Sequence, residues 1–189
     1  GLITVIKSFK VSAVYAPKVS HTSQTYKEFL TAVKGKKLSI KTAKQGVKIA
    51  TGTSAVTLTF LAPVKTYNKT DLNNWSAVLL LKHNQKKFLF MGDAETKAEN
   101  DMISKKLLSK VDVLKVGHHG AKNTTSTNFL KKVSPKYAVI SVGKNGYGHP
   151  TSDVLNRLKA RKITVYRTDK SKNIIFTSTG KKLTVKTVK

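Results

Sequence analysis

An α/β layered fold with a mixed sheet is what this sequence predicts, and three features carry that expectation. The early apolar runs follow one another with only turn residues between them, as antiparallel strands do. From Ala94 onward, apolar runs alternate with stretches of helical periodicity, which is the rhythm of parallel βαβ units. A chain of 189 residues, 39% of them hydrophobic, is long enough to bury one core. No repeat, low-complexity tract or linker divides it, so residues 1–189 read as a single domain.

Val11 to Tyr15 reads as a strand, and Thr22 to Val33 as a helix, because Tyr26, Phe29, Leu30 and Val33 share one face. Leu38-Ser39-Ile40 and Val47-Lys48-Ile49 alternate apolar and polar residues, and Ala55 to Leu61 is a longer strand stopped by Pro63. A polar loop from Val64 to Asn74 leads into Ser76–Leu81, which pairs with Lys87–Met91 across a His83-Asn84-Gln85 turn. The alternation follows: helix Ala94–Leu108, strand Val111–Val116, helix Ser126–Val133, strand Tyr137–Val142. Helix Ser152–Ala160, capped by Thr151 or Ser152, then precedes strand Thr164–Arg167 and a closing hairpin over Ile174–Val188.

Composition narrows the chemistry. Without cysteine there are no disulfides or thiolate metal sites, which leaves His, Asp, Glu and neutral oxygens as ligands. No apolar run reaches the length of a membrane span; Ala77–Leu81 and Phe88–Met91 are strand-sized, so no transmembrane segment is expected. No signal peptide is visible, and Gly1 is not a natural start, which leaves room for an upstream segment removed by processing. The net charge is +27, almost all of it lysine, with Arg157, Arg161 and Arg167 the arginines. Such a surface attracts polyanions such as DNA, RNA, anionic lipid or cell-wall phosphate polymers. Lysine offers a point charge where base-edge readout favours the arginine fork, so the expected attraction is not sequence-specific. The same excess also suits an exterior that lysines merely keep solvated, and charge alone names no partner.

The residues suited to catalysis gather between Gly92 and Pro150, where strands end in loops. Asp93 leaves an apolar strand through a single glycine; its carboxylate is placed either to bridge cations or to cap the next helix. Glu95 and Glu99 are expected on that helix near its positive end, Glu99 in ion pairs with neighbouring lysines. His118 and His119 leave the next strand just before Gly120. Strand alternation would turn them to opposite faces, so one serves as a ligand while the other orients it, meets substrate or is buried. His149 lies in the glycine-rich loop Gly143–Pro150, whose Lys144 and Tyr147 are placed to meet a phosphate; the loop also reads simply as a turn before Pro150. Ser76 and Asn74 reach the same end of the sheet, whereas His21 and His83 take no role. There is no nucleophile elbow and no standard phosphate-binding glycine loop. Trp75, the sole tryptophan, makes no base-stacking platform.

Taken in order and spacing, Gly92-Asp93-Ala94-Glu95, the run Asp112 to Gly120, Ser141-Val142-Gly143, Tyr147-Gly148-His149-Pro150 and Tyr166-Arg167-Thr168-Asp169 form a composite signature. It resembles the metallo-β-lactamase-fold hydrolase domain of ComEC-type competence proteins and their stand-alone secreted relatives. The likeness is close from about Ser76 to Ile175 and looser before it. It implies an αββα sandwich with a mixed sheet and a metal site at one edge, holding two ions, zinc or manganese, in the complete domain. Asp93 would bridge the metals. His119 is the favoured histidine ligand, with His118 as the alternative ligand, a neighbour or a substrate contact, and catalysis would fall to Asp93 and His119. His149, Tyr147, Lys144 and Ser76 would face the substrate. The implied activity is phosphodiester hydrolysis, on DNA in the competence proteins, where two cations generate hydroxide near neutral pH and clamp the phosphoryl oxygens.

Two departures qualify that implication. Ala121 stands where the family has Ser after His-His-Gly. The family's earlier His-x-His-x-Asp-His motif is absent, and the chain opens on Gly1-Leu2-Ile3-Thr4-Val5-Ile6, where relatives carry the apolar helix that follows that motif. The chain therefore reads as the C-terminal portion of such a domain, lacking its first strands and four ligands: a half-site, and a poor enzyme alone. An uncovered apolar face would favour a homodimer or pairing with the missing N-terminal segment. The leading expectation is an incomplete metal-dependent phosphodiesterase or nuclease, its partner a nucleic acid or an anionic cell-wall polymer. The rivals are a non-catalytic polyanion-binding module and a teichoic-acid phosphodiesterase. High lysine and absent cysteine suit an extracellular or cell-surface home on a bacterium.

Overall fold

The computed structural model describes residues 1–188. At the N terminus, helix α1 (Leu2–Ser8), strand β1 (Val14–Ala16), helix α2 (Gln24–Gly35) and strand β2 (Ile40–Thr42) form a small layer, with β1 and β2 parallel. Ile6, Ala32 and Val33 are its buried centre, supported by Phe29, Val14 and Ile40. Ser23 accepts the N–H of Tyr26 through its side chain as the N-cap of helix α2, so the helix starts at Gln24, two residues beyond the expected Thr22.

The main sheet takes up the strands that follow: β3 (Lys48–Ile49), β4 (Val56–Phe60), β5 (Leu79–His83), β6 (Lys86–Phe90), β7 (Val113–Lys115), β8 (Tyr137–Ile140) and β9 (Thr164–Arg167). They lie side by side in sequence order. Strands β3 to β6 pair antiparallel and β6 to β9 parallel, so β6 is where the direction changes and the sheet is mixed, as expected. The predicted hairpin is present, with Leu79 opposite Phe90 and His83 opposite Lys86.

Period-two alternation decides which face each side chain takes. On one face, Leu89, Leu114, Ala138 and Ile140 are fully buried against helices α3 (Thr96–Ser104), α4 (Thr127–Val133) and α5 (Ser152–Ala160). These helices contribute Met102, Phe129, Leu130, Val133, Val154 and Leu158. Truncating a large member of this set, such as Phe129 to Ala, costs about 3–5 kcal/mol. On the other face, a short helix α6 (Thr168–Ser171) leads to the hairpin β10 (Asn173–Ser178) and β11 (Leu183–Val188). Phe176 meets Tyr137, Tyr166 and Phe88 there, at ring-centroid distances of 5.5, 6.0 and 6.5 Å. The hairpin covers only part of this face. Beside it runs an apolar groove of 660 Å³, lined by Phe88, Phe90, Val113, Val139, Phe176 and the stem of Lys115 among others.

Strand β1 lies at Val14–Ala16 rather than Val11–Tyr15 and β5 at Leu79–His83 rather than Ser76–Leu81, which puts His83 in the strand and not the turn; two further departures have a visible cause. Helix α3 stops at Ser104 rather than Leu108, because Lys106 takes a φ of 55° and Leu107 turns back to donate to the Met102 carbonyl. Leu107 and Leu108 still pack on the core, so the apolar spacing that suggested more helix reflects burial. The loop before β5 holds a 3-10 turn over Leu72–Trp75, which buries Asn74 and Trp75. No helix among the described residues is long and apolar enough to cross a membrane.

Candidate functional site

Three chain segments leave the carboxyl ends of β6, β7 and β8 side by side, the edge where parallel sheets commonly present ligand-binding loops. The first is Gly92-Asp93. Its turn is pinned by the N–H of Asp93, which donates to Ser76 Oγ at 2.9 Å, so Ser76 does reach this end of the sheet. Of the two roles considered for Asp93, helix capping is not the one observed. The N-cap of α3 is Glu95, and the capping acceptor is the buried Asn74, whose Oδ1 receives the N–H groups of Glu95 at 3.2 Å and Ala98 at 3.0 Å. Asp93 is thereby left free of that duty.

The second segment carries the histidine pair, and here strand alternation fails. β7 ends at Lys115, and His118 and His119 both adopt left-handed backbone, with φ of 43° and 54°. Two consecutive non-glycine residues in that region are a strained arrangement of the kind that gathers at functional sites. The turn is held by His118 N–H on the Gly92 carbonyl and Ala121 N–H on the His118 carbonyl, each at 2.9 Å. Gly120 completes it at φ +83°, where a Cβ would come within 2.6 Å of Pro150 Cβ. That close approach draws in the third loop, and the rings of His118 and His149 come to 5.6 Å while those of His118 and His119 stand 6.3 Å apart. The structure thus gathers three histidines where alternation would have separated two.

Their surroundings differ. His119 Nδ1 lies 2.6 Å from the Ser141 carbonyl oxygen, so Nδ1 is the protonated nitrogen and Nε2 keeps its lone pair. His118 Nδ1 stands 3.5 Å from Glu95 Oε1, near enough for attraction yet without a hydrogen bond, and the Nδ1 atoms of His118 and His149 are both buried without partners. Glu95 Oε1 itself accepts from Asn73 Nδ2 at 2.7 Å. Desolvation and the two neighbouring imidazoles hold His149 below the ordinary histidine range, favouring its neutral form. Burial likewise pushes the Lys115 ammonium down, while the Asp93 carboxylate beside it pulls the other way. Lys115 donates to the Val116 carbonyl at 2.8 Å.

Loop 143–150 is organised by Asn145, which donates to the carbonyls of Gly143 and His149 and accepts the N–H groups of Tyr147 and His149. Tyr147, 84% exposed, stacks on His149 at 6.0 Å, and Lys144 is exposed on the same loop. Glu99 requires a correction. It makes no ion pair with a lysine among the described residues; it is 1% exposed and accepts the N–H groups of Thr125 and Ser126.

Asn73, the capping role of Asn74, Asn145 and Lys115 escaped the sequence reasoning. The first three act through amide hydrogen bonds across loops that no local pattern announces; Lys115 lies inside the quoted run Asp112 to Gly120, and that was its only signal.

Among the described residues, no three of His, Asp and Glu are grouped so as to hold a metal ion. The donors present therefore do not make a catalytic metal centre by themselves, which takes three protein ligands as a rule.

No protein-family model matches the chain. Comparison with curated proteins finds 32% identity to ComE operon protein 3 of Bacillus subtilis over 91% of this chain and 22% of that protein. Competence protein ComA of Neisseria gonorrhoeae is 42% identical over 62% of this chain and 17% of that protein. Recombination protein 2 of Haemophilus influenzae is 31% identical over 89% of this chain and 19% of that protein. The chain is a homologue of the ComEC-type competence proteins. It spans about a fifth of the length of these relatives. Among solved structures, a CmlA β-hydroxylase variant superposes with a TM-score of 0.51 at 12% identity, covering 82% of this chain and 38% of the other. That likeness shows the fold alone, and the fold is of the metallo-β-lactamase kind.

Proposed function

We propose that this ComEC-type domain is part of a metal-dependent phosphodiesterase or nuclease acting on DNA, at or outside the bacterial cell surface. The observation that carries the reading is the meeting of Asp93, the His118–His119 turn and the His149 loop at one sheet edge, with His119 Nε2 left free by the Ser141 carbonyl. In this proposal Asp93 and His119 (with His118 as the alternative) contribute to holding zinc or manganese. His149, Tyr147, Lys144 and Ser76 face the substrate phosphate. The described donors are too few, so activity requires further ligands from another segment or chain.

The test is elemental analysis of the chain together with the segment that supplies the further ligands, after zinc or manganese loading and desalting, beside Asp93→Ala and His119→Ala. Cleavage of DNA and of a wall phosphodiester such as a teichoic acid is assayed in parallel. Metal and DNA cleavage lost together in both variants supports the reading, whereas full activity in either variant sinks it. Cleavage confined to the wall polymer would transfer the activity to that substrate.

A second reading, a non-catalytic polyanion-binding module, draws on the charge of +27 and on the arginines. Arg157 is spent on backbone carbonyls and Arg167 pairs with Asp169 at 2.6 Å, which leaves the lysines and Arg161 to meet phosphate. That reading predicts DNA binding that weakens steeply with salt and ignores chelator. Salt-independent affinity would end it.

A further inference from the structure

Next to the histidine turn, Thr125 sits at φ 56°, a left-handed conformation that β-branched residues avoid. It is held from both sides. Glu99, reaching across from α3, accepts the Thr125 N–H with one carboxylate oxygen and the Ser126 N–H with the other, the latter at 2.9 Å. Arg157, from α5, donates through Nε to the Thr125 carbonyl at 2.9 Å, and through Nη2 to the carbonyls of Thr124 at 2.8 Å and Lys122 at 2.9 Å. Ser126 in turn caps α4, its side chain accepting the Phe129 N–H. The clamp therefore grips every residue from Thr124 to Ser126.

That grip reaches the histidines through two contacts. The Thr124 hydroxyl donates toward the Gly117 carbonyl at 3.2 Å and the Ala121 carbonyl at 2.9 Å. The Ala121 N–H donates to the His118 carbonyl at 2.9 Å. Gly117 and Ala121 flank the turn in which His118 and His119 are themselves left-handed. Among the described residues neither Glu99 nor Arg157 hydrogen-bonds to a histidine; they act on the backbone that bears it. A buried carboxylate and a guanidinium are costly to desolvate, so finding both spent on one strained five-residue stretch needs a reason beyond packing.

We propose that Glu99 and Arg157 are positioning residues, a clamp of a buried carboxylate and a half-buried guanidinium that holds Thr125 left-handed and so sets the orientation of His118 and His119. The idea rests on the reading that the histidine turn is the working part of the domain, though not on which ligand it meets.

The experiment uses the isotope-labelled chain and two readouts, amide exchange and the imidazole nitrogen signals of His118 and His119. In Glu99→Gln, one amide N–H faces an NH₂ group in place of an acceptor, so exchange protection at Thr125 and Ser126 falls by about 10-fold or more. The imidazole signals of both histidines move. Adding Thr125→Gly to that variant returns them toward their original positions, because glycine takes positive φ without strain and no longer needs the clamp. A merely structural Glu99 gives no such rescue. Should Glu99→Gln fail to fold, Arg157→Lys carries the same test, since an ammonium cannot serve three carbonyls in a fixed fork. Unmoved imidazole signals in the folded variant, or a shift that Thr125→Gly leaves unrelieved, overturn the clamp. A separate titration with zinc and with a DNA oligonucleotide, on the chain together with the segment that supplies the further ligands, tests the functional reading. Imidazole signals that ignore both ligands overturn that reading and leave the clamp standing.

Discussion

The Nδ1 atom of His119 lies 2.6 Å from the main-chain carbonyl oxygen of Ser141. A carbonyl only accepts, so this contact fixes where the imidazole proton sits and ties the loop after β7 to the loop after β8. The nitrogen left with a lone pair, Nε2, is the one available to a cation or a proton.

That tautomer is directly observable. Nitrogen-resolved NMR of the neutral His119 ring is expected to show a protonated Nδ1 and a bare Nε2. The reverse assignment would remove the ring from consideration as an Nε2 ligand.

Gly120→Ala is expected to be costly well beyond ordinary surface substitution. The added Cβ meets Pro150 Cβ at 2.6 Å, and φ +83° is strained for alanine. Together these cost about 2–4 kcal/mol in urea unfolding. Gly146→Ala, where nothing lies within 4 Å, serves as the control and is expected to change stability little.

Asn74→Ala removes the acceptor shared by the N–H groups of Glu95 and Ala98 from a side chain only 2% exposed. The loss is expected at about 1–2 kcal/mol, the usual cost of a missing helix cap. Chemical denaturation measures it, and amide exchange should rise first at the start of α3. Unchanged exchange there would show that another group caps the helix.

Glu99 gives a pH signature with a definite sign. Burial pushes its carboxyl above the usual 4.5, while the Ser126 and Thr125 amides and Arg157 pull against that shift. The folded chain therefore holds this proton more tightly than the unfolded chain. Its contribution to stability is fully present below pH 4.5 and is lost as pH rises through the elevated folded value. The difference in unfolding free energy, wild type minus Glu99→Gln, is expected to fall across that window. A difference that rises with pH would mean that the hydrogen bonds outweigh burial.

Much of the fold was legible because its signals are local. Strand β9 and helix α5 begin and end where the apolar spacing and Thr151 placed them, and the β5–β6 hairpin follows from two apolar runs about a short turn. The residues gathered at the site were also legible in part: Asp93, His118, His119 and His149 stand at strand exits, which order and spacing marked. Where local logic failed, a non-local contact had intervened. Alternation would have parted His118 from His119, but Pro150 pressed against Gly120, together with the braces on Gly117 and Ala121, holds both residues left-handed. Glu99 was expected among lysines because helix neighbours are what a sequence shows. Its actual partners are 26 and 27 residues away.

The sequence by itself determined the alternation of strands and helices, the change from antiparallel to parallel pairing, the overwhelmingly lysine-borne positive charge and the residue types available for chemistry. Each depends on periodicity or composition, which neighbours along the chain carry. Only the tertiary structure decided that Asn74 rather than Asp93 caps α3, that three histidines share one edge, and that Glu99 and Arg157 grip the loop beside them. Those facts turn on hydrogen bonds between segments far apart in the chain, whose geometry exists only once the sheet has brought them together.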